Sequence, residues 1–80
     1  MLEKIKTIIA EQLGVKPENI DDGDTLAYIG ADSLDVIELS MWLDDEFEIE
    51  MNDDEVDAMA AMTVADLAAT VAKKVSHAEG

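Results

Sequence analysis

Residues 29–48 read IGADSLDVIELSMWLDDEFE, and the spacing of apolar positions in this stretch decides the fold. At about 100° per residue, five positions of a helix over residues 33–48 share one side: Val36, Leu39, Ser40, Leu43 and Phe47. This stripe is apolar except for Ser40, so it predicts a helix that packs along one side against a core.

A second apolar line occupies roughly the opposite side of the same helix, at Leu34, Ile37 and Met41. Scattered surface hydrophobic residues are common and need no explanation. Three in register, beginning beside Ser33 and surrounded by acids, favour a docking surface for a partner. We define this docking face by its apolar line and its acidic neighbours: Asp32, Leu34, Asp35, Ile37, Glu38, Met41 and Asp45.

Three more helices are expected, one before this helix, over residues 2–14, and two after it, over residues 53–61 and 64–75. The first carries the apolar stripe of Leu2, Ile5, Ile8, Ile9 and Leu13, followed by Gly14 as a stop. Residues 52–55 and 63–66 are capping-box patterns that open the other two. No segment has a strand pattern. The sequence therefore predicts an all-α fold in one domain (residues 1–80), a small four-helix bundle with three main helices and one short helix.

The first loop of this bundle is long, from residue 15 to residue 31, and it contains Pro17, Gly23 and Gly30. Ile20, Leu26 and Ile29 are the expected anchors of the loop in the core. A loop of this length in a small domain usually carries function.

Charge limits the classes of partner. Twenty acids face five lysines, for a formal net charge of −15, and residues 17–72 contain no basic side chain. Nucleic acid and anionic membrane surfaces would be repelled, so basic protein surfaces are the expected partners. An acidic surface that only keeps a small protein in solution remains the alternative from charge alone.

Other compositional features exclude further classes. The chain has no cysteine, and therefore neither disulfides nor thiolate metal sites, which fits a cytoplasmic protein. The first residues mix charged and apolar side chains at helical spacing, which predicts neither a signal peptide nor a membrane span.

Ser33 lies between two aspartates, and its role is the central question. A nucleophilic serine needs an adjacent base, but its neighbours are carboxylates and the single histidine is His77. Asp32 is a good N-cap with Asp35 three residues later, which leaves the Ser33 hydroxyl facing solvent at the positive end of the helix. A phosphate diester is well placed there. Phosphorylation, a covalent prosthetic arm and no modification all remain open on this chemistry.

Several motifs in order resemble the acyl carrier protein family. They are GADSLD at residues 30–35, IEL at 37–39 and LDDEF at 43–47. VKPENI at residues 15–20 is similar to the family's first loop, and TVADL at 63–67 to the start of its last helix. The resemblance therefore extends over most of the chain.

The resemblance implies a function for Ser33. A separate transferase would attach 4′-phosphopantetheine to Ser33, and the thiol of this arm would carry acyl groups as thioesters. The protein would be a monomeric carrier rather than an enzyme. It would present its cargo to lipid or polyketide-type biosynthetic enzymes that have basic docking surfaces.

The resemblance also implies that an acyl chain tucks between the second and third helices. The candidate lining residues are Leu43, Ile49, Val56, Met59 and Met62, although ordinary core packing predicts the same side chains. The sequence departs from common fatty-acid carriers at several positions, which are Ser40, Trp42, Asn52 and the run DAMAAM at residues 57–62. These departures leave two interpretations open, a housekeeping carrier and a specialised one.

The sequence also bears on two other classes of function. A calcium sensor would need an EF-hand loop, and neither Gly23 nor Gly30 follows the required run of acids, so no specific metal site is expected. Loose binding of divalent cations to the acidic clusters remains open. An acidic helical interaction module of the carrier fold that is never modified remains the alternative.

Overall fold

The computed structural model describes the backbone of residues 1–79 and the side chains of residues 1–76. Five α-helices and one 3-10 turn, with no strand, make up this described part of the chain. They are α1 (Leu2–Leu13), the turn Pro17–Asn19, α2 (Leu26–Ile29), α3 (Ser33–Phe47), α4 (Asp53–Met59) and α5 (Val64–Glu79). The predicted all-α class is confirmed.

The three long helices, α1, α3 and α5, enclose the core. Each contributes one stripe of side chains at most 6% exposed, and the main members are Ile5, Ile8, Ile9, Val36, Leu39, Leu43, Val64, Leu67 and Val71. Ser40, the polar member of the α3 stripe, is 5% exposed and donates its hydroxyl hydrogen to the Ile37 carbonyl at 2.7 Å. The hydroxyl is therefore satisfied within its own helix, and the predicted core side of α3 is confirmed.

Local signals end and begin the helices as the sequence indicates. Gly14 has φ of +70° and closes α1 by donating its N–H to the Ala10 carbonyl. At the start of α4, Asn52 and Glu55 form the predicted reciprocal capping box. Thr63 Oγ1 accepts the Asp66 N–H at 3.1 Å at the start of α5. These caps satisfy backbone groups that have no partner within a helix.

The four predicted helices begin where expected, but their C-terminal ends differ from the expected ones by one to four residues. Glu48 has φ of +54°, a left-handed conformation that ends α3 at Phe47. After Met59 the chain continues in tight turns, in which Met62 N–H donates to the Met59 carbonyl at 3.1 Å. The last helix, α5, extends to Glu79.

The long connection between α1 and α3 contains two short elements that the sequence did not predict, the turn Pro17–Asn19 and the single-turn helix α2. Thr25 caps α2 by accepting the Tyr28 N–H at 3.1 Å. Two expected anchors, Ile20 and Leu26, are buried, while Ile29 is partly buried against the core.

Backbone hydrogen bonds fix this connection to the link between α4 and α5. The N–H groups of Leu26 and Ala27 donate to carbonyls of that link, those of Met62 and Ala60, at 3.3 and 3.1 Å. In return, Val64 N–H donates to the Asp24 carbonyl at 2.9 Å. The residues that precede Ser33 are therefore held by the second half of the chain.

Candidate functional site

Ser33 is the first residue of α3, and its side chain is exposed. The chain reaches it from α2 through a sharp turn at Gly30, whose φ of +110° is a conformation that residues with a Cβ rarely adopt. Gly30 therefore allows only three residues to separate the end of α2 from the start of α3, with Ser33 at the surface.

A capping box surrounds Ser33. Asp32 Oδ1 accepts the Asp35 N–H at 2.9 Å, and Asp35 Oδ2 accepts the Asp32 N–H at 3.2 Å. The predicted cap is confirmed, and it does not use the Ser33 hydroxyl. The remaining free N–H groups of the first turn give this end of α3 a partial positive charge. A phosphate diester on Ser33 Oγ would fit there, because it would be exposed and beside those donors.

Three lysines of the terminal helices, Lys4, Lys6 and Lys74, form ion pairs with acids at a distance from the start of α3. Lys4 Nζ lies 3.3 Å from Glu46 Oε1, Lys6 binds Asp22, and Lys74 Nζ lies 2.7 Å from Glu55 Oε1. The hydrogen bond from Lys6 to Asp22 raises the pKa of the lysine above its ordinary value.

Among the described side chains, no ion pair involves the acids of the docking face, which are Asp32, Asp35, Glu38 and Asp45. The surface beside Ser33 therefore keeps its negative charge available to a partner.

The structure places the apolar line of the docking face on the outside of α3. Leu34 is 63% exposed, Ile37 48% and Met41 63%. Of the acids beside this line, Glu38 accepts a hydrogen bond from Gln12 Nε2 of α1 at 2.8 Å. Asp32 and Asp45 are exposed, and Asp35 is half-buried. Sequence and structure thus agree on where these residues lie.

A cleft of about 140 Å³ opens directly beside Ser33, between α3 and α4. Its lining consists of Ser33, Val36, Ile37, Val56, Asp57 and Ala60. A larger depression of about 400 Å³ shares Ile37, Val56 and Asp57 with the cleft and extends to Met51 and Asp53. Together they form a groove along the α3–α4 boundary, with Ser33 at one end.

The five acyl-pocket candidates lie in different places. Leu43 and Met59 are fully buried in the core, whereas Ile49, Val56 and Met62 are partly buried against it. Of these five, Val56 lines the cleft beside Ser33.

Three residues that line the cleft were not predicted from the sequence as acyl-pocket or docking residues: Val36, Asp57 and Ala60. A signal for Ala60 was present, because it lies four residues after Val56, and residues at that spacing are neighbours on a helix surface.

Other kinds of site find no support in the described part of the chain. Residues 1–76 contain no group of three or more His, Cys, Asp or Glu side chains placed to hold a metal ion. None of the helices described is both long and apolar enough to cross a membrane. The side chain of His77 lies outside the described residues.

Comparison with known proteins agrees with this geometry. Residues 3–71 match the family model described as "Phosphopantetheine attachment site". An acyl carrier protein of Bdellovibrio bacteriovorus is 43% identical over 72 residues, which cover 89% of this chain and 90% of that protein. An acyl carrier protein of Sulfurovum sp. is 42% identical over 63 residues, 78% of this chain and 84% of its own.

The fold and the match over residues 3–71 thus define a domain of the phosphopantetheine-attachment class. The two acyl carrier proteins match this chain at 42% and 43% identity over most of its length and of their own. This chain therefore belongs to the acyl carrier protein family. Its cofactor is 4′-phosphopantetheine, covalently attached.

Proposed function

We propose that Ser33 is the residue to which a transferase attaches 4′-phosphopantetheine. The observation that carries the proposal is the start of α3, where Asp32 and Asp35 cap each other and leave an exposed serine hydroxyl at the positive end of the helix. In the transfer, Ser33 Oγ forms a bond to phosphorus, its proton goes to a base of the transferase, and the nucleotide part of coenzyme A leaves. The carrier thus needs no base of its own.

The modified protein would carry acyl intermediates as thioesters on the thiol of the arm. Because the chain has no cysteine, the cofactor would supply the only sulfur suited to this chemistry. The protein would shelter and present the acyl group, and the partner enzymes would perform the chemical steps.

The docking face would bind the transferase and the acyl-processing enzymes of lipid or polyketide-type synthesis. Support comes from the exposed line of Leu34, Ile37 and Met41, which starts beside the attachment point. Acids around this line favour partners with basic surfaces, because opposite charges speed encounter. A partner on this face would receive the arm close to its own active site.

The groove between α3 and α4 would shelter the acyl chain. The cleft begins at Ser33 itself, and its walls include the apolar side chains of Val36, Ile37 and Val56. Leu43 and Met59 would form the floor only after movement of α4, because both are fully buried in the present packing.

A transferase assay tests the attachment site. The unmodified protein is incubated with a phosphopantetheinyl transferase and coenzyme A, and its intact mass is measured. One arm should be added to the wild type and none to Ser33→Ala. The matched control is Ser76→Ala, which removes another exposed serine and should be modified like the wild type.

Modification of Ser33→Ala would overturn the site assignment. An unmodified wild type would instead favour the alternative function, an acidic interaction module of the same fold.

A further inference from the structure

Tyr28 is an exposed aromatic residue that does not belong to the docking face. It is 79% exposed, more than any residue of the apolar line on α3. It lies on α2, in the first loop, whereas the docking face consists of α3 and its N-cap. The other two aromatic residues of the chain, Trp42 and Phe47, pack against the core. A ring as exposed as that of Tyr28 can be covered by a partner, and tyrosine is among the residues that contribute most at interfaces.

A pocket of about 210 Å³ opens beside Tyr28. Besides this ring, three apolar and two polar residues line it, which are Val15, Ile20, Ile29, Asn19 and Asp24. We call these six residues the first-loop pocket. A cavity of about 150 Å³ holds a benzene ring, so the pocket has room for the end of one large side chain.

Asp24 gives the first-loop pocket a negative charge. Its Oδ2 accepts the Asp21 N–H at 3.0 Å, and this neutral donor fixes the side chain without cancelling its charge. Among the described side chains, no lysine forms an ion pair with Asp24, although Lys6 pairs with Asp22 two positions earlier. The pocket therefore favours a cation.

The backbone that carries the pocket is fixed without a partner. The Asp24 carbonyl accepts the Val64 N–H at 2.9 Å, and Thr25 Oγ1 accepts the Tyr28 N–H at 3.1 Å. Ile20 is 3% exposed, so it anchors the other side of the pocket in the core. A preformed pocket loses little conformational entropy when a partner binds.

An aromatic ring, apolar walls and one carboxylate together suit arginine better than lysine. A guanidinium is planar and more weakly hydrated than an ammonium, and it stacks on aromatic rings. Its N–H groups can bond to a carboxylate at the same time. The apolar stem of the arginine would lie along Val15 and Ile29, which line the same pocket.

The position of Tyr28 in the chain indicates which partner supplies the arginine. Tyr28 precedes Ser33 by five residues, so their Cα atoms are at most about 18 Å apart. A transferase must bring its reacting groups to Ser33 Oγ itself, and a standard interface covers about 800 Å² of each partner. Enzymes that act on the thiol, at the far end of the arm, work at a distance from Ser33. The first-loop pocket therefore suits the transferase best.

We infer that the first-loop pocket is a second contact for the transferase, in which an arginine of the transferase stacks on Tyr28 and pairs with Asp24. This inference rests on the proposed function, because it assumes that a transferase modifies Ser33. The transferase would then bind residues that precede Ser33 in the chain as well as the docking face that follows it.

The first experiment measures KM and kcat of a phosphopantetheinyl transferase for the unmodified carrier. Tyr28→Ala should raise KM about tenfold and leave kcat within about twofold, because the ring binds the transferase and takes no part in the reaction. Tyr28→Phe keeps the ring and should react like the wild type. Melting curves check that each variant is folded. A wild-type KM for Tyr28→Ala, or a lower kcat at an unchanged KM, would overturn the contact.

Asp24→Asn keeps an acceptor for the Asp21 N–H but removes the charge, and should raise KM about threefold at low salt. The matched control is Glu18→Gln, the same loss of charge at an exposed acid of the first loop outside the pocket, and should stay close to the wild type. An effect of Asp24→Asn no larger than that of Glu18→Gln would overturn the inferred arginine.

The double variant tests whether one side chain of the transferase contacts both residues. Tyr28→Ala with Asp24→Asn should raise KM about tenfold rather than about thirtyfold, because both changes remove contacts to the same arginine. A thirtyfold increase would mean that the two residues act independently, and would overturn the shared arginine.

The second experiment needs no transferase. Propylguanidinium and butylammonium, which correspond to the side chains of arginine and lysine, are added separately to the unmodified carrier. NMR follows the ring signals of Tyr28, the single tyrosine of the chain. Propylguanidinium should shift these signals about threefold further at equal concentration, and the difference should shrink in Asp24→Asn.

Equal shifts with the two cations would overturn the preference for arginine. A wild type that the transferase leaves unmodified would overturn the proposed function instead, and the NMR experiment would still decide whether the pocket binds a guanidinium.

Discussion

The two helices that border the cleft, α3 and α4, begin with the same local motif but are held in place by different forces. Both open with a reciprocal capping box, Asp32 with Asp35 and Asn52 with Glu55. Apolar burial along one side then fixes α3, and no lysine binds the acids of its box within the described residues. In α4 the box acid Glu55 binds Lys74, and burial is confined to Met59.

The difference separates two functions at one groove. At the start of α3 no described lysine pairs with the capping acids, so their negative charge is available to a basic partner. The free N–H groups of the same helix end suit a covalently attached phosphate. At the start of α4 the capping carboxylate of Glu55 is already paired with Lys74, so less negative charge is available there to a partner. Shortening a buried side chain should therefore lower the stability of the fold more in α3 than in α4. A change of pH should alter the stability through the Glu55 carboxyl of α4.

The largest expected effect is the loss of a core side chain from α3. Leu39→Ala should lower the free energy of unfolding by about 2–5 kcal/mol, because Leu39 is 1% exposed and its removal leaves a cavity. The matched change in the other wall, Val56→Ala, should cost only about 1 kcal/mol, because Val56 is partly buried. Urea unfolding of both variants measures the two costs. Equal costs would mean that α4 is anchored in the core as firmly as α3.

The next effect concerns partner binding at the outer side of α3. Met41→Ala should leave the melting temperature nearly unchanged, because Met41 is 63% exposed. It should weaken binding to the transferase by about 1 kcal/mol, mainly through faster dissociation. Surface plasmon resonance gives both rates.

Glu38→Lys serves as the comparison, since reversing an acid at the edge of the docking face should mainly slow association and reduce its salt dependence. Wild-type binding by both variants would place the docking face elsewhere.

The smallest effect is the pH dependence of the ion pair between Lys74 and Glu55. Lys74 holds the pKa of the Glu55 carboxyl below its ordinary value of 4.5, so the pair stabilises the fold above that pH. The contribution disappears as the pH falls through the lowered pKa, because the carboxyl is then protonated in the folded state as well. The difference in melting temperature between the wild type and Glu55→Gln should be constant near neutral pH and shrink below pH 4.5. A difference that stays constant into this acidic range would show that the ion pair adds no stability.

Most of the framework follows from local pattern in the sequence. The stripe at Val36, Leu39 and Leu43 predicted the core side of α3, and short-range spacing predicted the caps at Asp32 and Asn52. These features depend on residues at most four positions apart in one helix, which is the range in which sequence patterns are informative.

Features that depend on distant contacts were not predictable in this way. Helix α2 has only four residues, too few for a periodic pattern, and its N-terminal N–H groups bond to the carbonyls of Ala60 and Met62. Lys74 and Glu55 are separated by 19 positions in the sequence, so only the tertiary fold brings them together. The cleft beside Ser33 likewise combines residues of two helices, so its lining was only partly anticipated.

The most direct test of the central claim is the mass of the protein as its own cells make it. The chain is isolated under conditions that preserve modifications, weighed intact, and fragmented to locate any added group. The account predicts one phosphopantetheine arm on the fragment that contains Ser33, with Ser40 and Ser76 unmodified. A chain without the arm, or with the arm on another residue, would contradict it.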